Sequence, residues 1–123
     1  MIKVSIPMTD DKEIEAVTEV LKSGRYADGP KSKEFESNFA EYIGTKRGVS
    51  CSSGTAALHL SLIACGIKPG DEVIVPPLTF FATVEAVLHQ GAIPVFADLD
   101  PRTYCLDPID FERKITSLLM IIQ

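Results

Sequence analysis

The chain has 123 residues, 46% of them hydrophobic, and a formal net charge of −5. That length suits one domain, the apolar content excludes a disordered chain, and the acidic balance with scattered Lys and Arg excludes a nucleic-acid surface. Met1 to Met8 lacks the apolar run of a secretory leader and no segment reaches the length of a membrane span, so a cytoplasmic protein without membrane contact is expected.

In chain order, Asp10-Asp11-Lys12-Glu13 has the form of a capping box and predicts a helix over about 11–22. Ile14, Val17 and Leu21 recur in it at helical spacing, and Ser23-Gly24 stops it. Gly24 to Pro30, GRYADGP, is a loop. A second helix is expected over 32–43, with Phe35, Phe39 and Tyr42 on one face and Gly44 at its end. Val49 to Cys51 has the makings of a short strand. The next helix, about 55–65, is apolar nearly all round (Ala57, Leu58, Leu60, Leu62, Ala64), as expected of a helix buried on most sides.

Gly66 ends that helix and Lys68 to Glu72, KPGDE, turns the chain. Val73-Ile74-Val75 reads as a parallel strand covered on both faces, and Pro76-Pro77 prevents its extension. Thr79 is placed to cap a helix over 79–90 that ends at Gly91. A strand over 94–97 follows, then the turn Asp98 to Pro101, then Asp107-Pro108 as cap and first residue of a helix over 108–116. A last strand falls at Leu118 to Ile122. Alternating strands and helices predict an α/β layered sheet with right-handed crossovers, and no internal domain boundary is visible.

Three widely spaced cysteines, Cys51, Cys65 and Cys105, fit neither a disulfide framework nor a zinc site. They are expected to be reduced and mostly buried. His59 and His89 sit on predicted helices away from any partner, so packing rather than catalysis is expected of them. Asp98 and Asp100 are close enough for a cation site, but a turn before Pro101 explains them more simply.

The informative stretch is Ser52-Ser53-Gly54-Thr55 at the junction of the 49–51 strand and the apolar helix. In an open α/β sheet ligands bind beyond the carboxyl ends of the strands. The first amides of a helix lack partners of their own and point outward with the positive end of the dipole, which suits an anion. Gly54 lets the backbone approach closely, and the hydroxyls of Ser53 and Thr55 add donors. The turn has the size of a monophosphate site and matches neither a P-loop nor a dinucleotide fingerprint. Ordinary helix capping by Ser and Thr accounts for the same residues. A second strand-to-helix junction, Pro76 to Thr83, PPLTFFAT, adds an aromatic plate in Phe80 or Phe81. Together the two junctions suit a flat, phosphorylated ring, although both phenyl groups also read as core, Phe81 above all.

At these residues the chain resembles a known family. SGTAAL (Ser53 to Leu58), GDEVIVPPLTFFAT (Gly70 to Thr83) and GAIPVFADLD (Gly91 to Asp100) are similar to successive blocks of the DegT/DnrJ/StrS nucleotide-sugar aminotransferases. Val20 to Gly44 resembles their opening, and the likeness runs from about Ile6 to Ile115. It implies an incomplete type I pyridoxal-phosphate (PLP) large domain, a mainly parallel sheet with flanking helices, over residues 1–123. It also implies a homodimer and transfer of an amino group from glutamate to a keto group on a nucleotide-linked sugar. Carried over, Gly54 and Thr55 hold the cofactor phosphate, Ser53 supports the turn, and Phe80 stacks on the pyridine ring. The loop Tyr26 to Pro30 falls on the sugar-nucleotide side.

The resemblance places the Schiff-base lysine and the acid against the ring nitrogen beyond position 123. None of Lys3, Lys12, Lys22, Lys31, Lys33, Lys46, Lys68 and Lys114 matches a catalytic position. After Phe111 to Thr116 the chain departs from the family pattern, as a frameshift, early stop or truncation produces. The fragment itself is therefore expected to be inactive, to hold PLP weakly or not at all, and to expose apolar faces that re-pair or dimerise. A PLP-dependent sugar dehydratase and a non-enzymatic regulatory or partner-binding remnant are the competing readings.

Overall fold

The computed structural model describes residues 4–116. The expected strand at Leu118 to Ile122 lies outside the described residues. The chain forms two compact units, Met1–Ser50 and Cys51–Gln123. No Pro- or Ser-rich linker marks the junction at Gly48-Val49-Ser50, so nothing in composition betrays it.

The first unit is helical. Helix α1, Asp11–Ser23, opens with the full capping box: Asp10 accepts from the amides of Lys12 and Glu13, and the Glu13 carboxylate returns to the Asp10 amide. Those bonds, first the one from Lys12, hold the Asp10 carboxyl below its usual range. Gly24 closes the helix in the left-handed region at φ 69°, a conformation that glycine adopts without penalty. Helix α2, Pro30–Ile43, begins two residues earlier than periodicity predicts, because Gly29 takes the extended cap conformation and Pro30 occupies the first turn. Lys31 bridges to Glu19 at 3.6 Å and to Glu34 at 3.4 Å. The apolar stripes of both helices are largely exposed; Ala40 is the buried residue of α2.

Val49 to Cys51 is not a strand. A strand exists by virtue of its ladder, and among the described residues this segment has none. It is held instead by a side chain: Glu36 Oε1 accepts from the Ser50 amide at 2.8 Å and from the Ser50 hydroxyl at 2.7 Å. These two bonds lower the Glu36 carboxyl below its ordinary value of 4.5, the amide bond contributing most. A carboxyl depressed in the folded state stabilises above its ordinary value and ceases to do so as pH falls through the folded one. The Ser50 amide resonance should therefore titrate with a midpoint below 4.5, and Glu36→Gln should erase that step; a midpoint at or above the ordinary value sinks the clamp.

The second unit holds the core. Helix α3, Gly54–Ala64, is followed by strand β1, Glu72–Val75, helix α4, Ala82–His89, strand β2, Ile93–Phe96, and helix α5, Pro108–Arg113. Strands β1 and β2 pair in parallel with Glu72 opposite Ile93 and Val75 opposite Phe96, and α4 is the crossover that parallel strands require. Leu62, Ile67, Val75, Ala86, Val87 and Ala92 form the core, with Val73 and Val84 against it. Helix α3 packs on α4, and α4 on both strands.

Several expectations need correction here. Helix α4 starts at Ala82 rather than Thr79; Phe81 is the cap residue and makes no side-chain cap bond. The Thr79 hydroxyl lies 3.0 Å from that of Thr83 instead. Helix α3 is not covered on most sides: Leu62 is its one buried residue. All three cysteines are free and exposed rather than buried. Helix α5 is shorter at its end than the expected 108–116, and Asp107 caps it through a bond from the Ile109 amide at 3.0 Å.

Candidate functional site

The turn before α3 is built by Ser53. Its backbone is extended, φ −164° and ψ 166°, and its hydroxyl accepts from the Ala56 amide at 3.1 Å. The Ser53 carbonyl accepts from the Ala57 amide at 3.0 Å. Between those two bonds the amides of Gly54 and Thr55 have no hydrogen-bond partner among the described residues, and neither does the Thr55 hydroxyl. The turn is thus both a cap and a set of unspent donors. The Cys51 thiol contributes a bond to the Ser53 carbonyl at 3.3 Å, which braces the turn from outside.

Gly54 has no backbone reason to be glycine. It is not in the left-handed region, and a β-carbon there would meet nothing within 4 Å. At Gly48, by contrast, a β-carbon would lie 2.7 Å from the Glu36 carbonyl oxygen. The space at Gly54 is therefore left open rather than filled by the chain's own atoms.

Gly54 and Thr55 line one open concavity of about 520 Å³ together with Leu58, Ser61, Phe80 and Thr83. That is within the range of small-molecule sites, about 300–1,000 Å³. Its polar lining includes the unspent amides of Gly54 and Thr55 and the Thr55 hydroxyl, while the Ser61 hydroxyl is committed to the Ala57 carbonyl at 2.8 Å and that of Thr83 to Thr79. Its aromatic lining is Phe80, which is 71% exposed and whose ring lies 4.7 Å from that of Phe81, centroid to centroid, tilted by 49°. Among the described residues no lysine, carboxylate or histidine lines it.

Of the residues singled out from sequence, Gly54, Thr55 and Phe80 come together here. Ser53 does not line the concavity, since its hydroxyl is committed to the cap. Phe81, expected in the core, is 64% exposed; α4 fills the core with Ala82, Ala86 and Val87 instead. Ser61 and Thr83 were not singled out. The available signal was the four-residue spacing of Thr79 and Thr83; the spacing of Ser61 from Thr55 gave none.

The histidines are not isolated. His59 Nε2 lies 3.2 Å from Gln90 Oε1, and the His59 and His89 rings stand edge to face at 5.8 Å. Gln90 in turn donates to the Ile67 carbonyl at 2.6 Å, so the cluster ties α3 to the end of α4. Asp100 is the turn residue expected: it takes a two-pronged contact from Arg102, Nη2 to Oδ2 at 2.9 Å and Nε to Oδ1 at 3.2 Å. That pairing, ahead of the bond from the Arg102 amide, lowers its carboxyl below the usual range. Among the described residues no group of three or more His, Cys, Asp or Glu could hold a metal ion, and no helix is long and apolar enough to cross a membrane.

In the first unit, Gly24 to Asp28 with Pro30 and Lys33 line a second open concavity of about 690 Å³. Asp28 there has φ 47°, and the Tyr26 hydroxyl donates to the Leu21 carbonyl at 3.3 Å.

Known proteins share both the sequence and the fold. The spore coat polysaccharide biosynthesis protein SpsC of Bacillus subtilis is 49% identical over 91% of this chain and 29% of its own length. The GDP-perosamine synthase of Caulobacter vibrioides is 46% identical over 94% of this chain and 31% of its own. Among solved structures, Spr1654 of Streptococcus pneumoniae in its PLP form superposes with a TM-score of 0.91 at 39% identity, covering 96% of this chain and 30% of that one. The chain thus spans about a third of the length of the proteins it matches. The model of the DegT/DnrJ/EryC1/StrS aminotransferases matches residues 7–122, across both units and through every block of the turn and the aromatic junction, and the chain belongs to that family.

Proposed function

We propose that this chain supplies the phosphate cradle and ring platform of a pyridoxal-phosphate-dependent aminotransferase acting on a nucleotide-linked keto sugar. Glutamate is the amino donor in this reading, the assembled enzyme is a homodimer, and three exposed free thiols suit the reducing cytoplasm. The observation that carries it is the meeting of two unspent amides and a free hydroxyl with an exposed phenyl ring in one concavity. A sugar dehydratase of the same family would use the same subsite, and no lining residue favours it.

The residues fit the cofactor. Gly54 and Thr55 amides donate to phosphate oxygens at the positive end of α3, and the Thr55 hydroxyl adds a third donor. The open space at Gly54 admits the phosphate against the backbone. Phe80 presents a face to a flat heteroaromatic ring. Ser53 holds the turn in shape through Ala56. The bound cofactor supplies the electron sink for amino-group transfer. These side chains orient it and exclude water from one side; none of them can take or give the proton that the reaction moves.

Magnitudes set what the chain does unaided. Three charge-assisted hydrogen bonds at about 1.5–3 kcal/mol each give roughly 4.5–9 kcal/mol, and association costs at least about 4 kcal/mol. The remainder, at most about 5 kcal/mol, corresponds to an affinity of about 0.2 mM at best. Titration of the chain with pyridoxal phosphate, followed by amide chemical shifts, should give saturable changes at Gly54, Thr55 and Phe80 in about that range and no transamination. Changes confined to lysines, or a stable Schiff-base absorbance tied to one lysine, would refute the assignment.

A further inference from the structure

Phe80 is the least supported member of the candidate site. Among the described residues its one aromatic neighbour is Phe81, and both rings are exposed. The core at this end of α4 is filled by Ala82, Ala86 and Val87 instead. An exposed phenyl group samples several staggered rotamers. A stacking face serves a flat ligand best when it is already held in one of them, because ordering it on binding subtracts from affinity. A ring platform at this position therefore needs a restraint other than core packing.

A threonine stands on either side of it. The hydroxyls of Thr79 and Thr83 lie 3.0 Å apart, and the Thr83 amide donates to the Phe80 carbonyl at 3.1 Å. The two bonds close a small loop around Phe80. Capping does not account for the hydroxyl contact. The first amides of a helix lack partners, and a capping threonine accepts from one of them. Helix α4 has no side-chain cap bond, and here hydroxyl meets hydroxyl, so no amide is satisfied. What the contact does is tie the loop before α4 to its first turn. Thr83 also lines the concavity beside Phe80, Gly54 and Thr55, whereas Thr79 does not. We propose that Thr79 and Thr83 form a clasp across the Phe80 turn and are positioning residues that hold the phenyl ring in the orientation on which a flat phosphorylated ring stacks. The inference rests on the proposed cofactor subsite and adds to it a residue, Thr79, that acts from outside the concavity.

The test uses the full 123-residue chain and two variants. Thr79→Val keeps the shape and removes the hydroxyl; Thr79→Ser keeps the hydroxyl. Three-bond couplings from the Phe80 backbone nitrogen and carbonyl carbon to its ring carbon Cγ report the χ1 rotamer without any ligand. They should show one dominant rotamer in the parent, averaging in Thr79→Val and recovery in Thr79→Ser. Circular dichroism should not change, because Thr79 is exposed. Titrations then separate ring from phosphate. Thr79→Val should weaken binding of pyridoxal phosphate by about threefold to tenfold, the scale of one neutral hydrogen bond. Its affinity for inorganic phosphate, which has no ring to stack, should equal the parent's, and Thr79→Ser should bind both as the parent does. Averaged couplings in the parent overturn the proposal. So do parent-like couplings in Thr79→Val, or equal losses for the two ligands, which would make the hydroxyl a support of the whole site rather than of the ring. Binding of neither compound by the parent counts against the proposed cofactor subsite, and the ligand-free couplings then still decide whether the clasp holds Phe80.

Discussion

Trimming Ile67 to alanine should cost the second unit about 2–5 kcal/mol, the range for large-to-small changes at a buried aliphatic site. Against total stabilities of about 5–15 kcal/mol for whole domains, that is a large share of the whole. Ile67 is 2% exposed and sits among Leu62, Val75, Ala86, Val87 and Ala92. Two of those neighbours are alanines, which have no rotamers with which to close a cavity. The residue is also fixed at both backbone ends. Its amide donates to the Leu62 carbonyl at 3.1 Å, and its carbonyl accepts from Gln90 at 2.6 Å. The side chain therefore cannot slide to fill the void it leaves. Urea unfolding followed by circular dichroism reads the loss directly. Leu60→Ala, on the exposed side of α3, is the control and should stay within about 0.5 kcal/mol. A loss below about 1 kcal/mol for Ile67→Ala would mean that these six residues are not the cooperative core.

Local signals in the sequence carried furthest where the interaction is itself local. The Asp10–Glu13 capping box, the glycine after α1 and the Asp107-Pro108 start of α5 each depend on residues within one turn. The strand at Val73 to Val75 and its partner, expected over 94–97 and found at Ile93–Phe96, were also legible from their apolar runs, but the cover on both faces that such runs suggest is not there: Val73 and Ile74 are half-buried, and Ile93 and Phe96 are exposed. What depends on distant atoms was not legible. The apolar composition of α3 reports the environment it is suited to, whereas in the structure its main packing partner is α4 and Leu62 is its one buried residue. The segment 49–51 has the composition of a strand but lacks a ladder, so Glu36 holds it from 14 positions away. The His59–Gln90 contact spans 31 positions, a separation no periodicity reports. At the candidate site the glycine and hydroxyl pattern identified the turn, but could not separate a cap from a cradle. In the structure Ser53 caps the helix, while the amides of Gly54 and Thr55 have no partner among the described residues.

That division makes Gly54 and Ser53 respond in opposite ways. Gly54→Ala should raise stability by up to about 1 kcal/mol, because alanine restricts the unfolded chain and favours the helix. No steric penalty offsets the gain, since the added β-carbon meets nothing within 4 Å. Helical Cα–Cβ bonds tilt toward the N-terminus, so the new methyl group projects toward the space where a phosphate would contact the amides. Affinity for pyridoxal phosphate or inorganic phosphate should fall at least about tenfold, equivalent to 1.4 kcal/mol. Ser53→Ala removes the hydroxyl that accepts from Ala56 and should lower stability by about 1 kcal/mol, while leaving both free amides in place. Its affinity should therefore drop only as far as the turn loosens. Thermal unfolding and phosphate titration on the same two variants separate the roles. If Gly54→Ala binds as the parent does, the amides are not the anion donors and the turn is a cap alone. If Gly54→Ala is less stable than the parent, the space beside it is occupied in solution by another part of the chain.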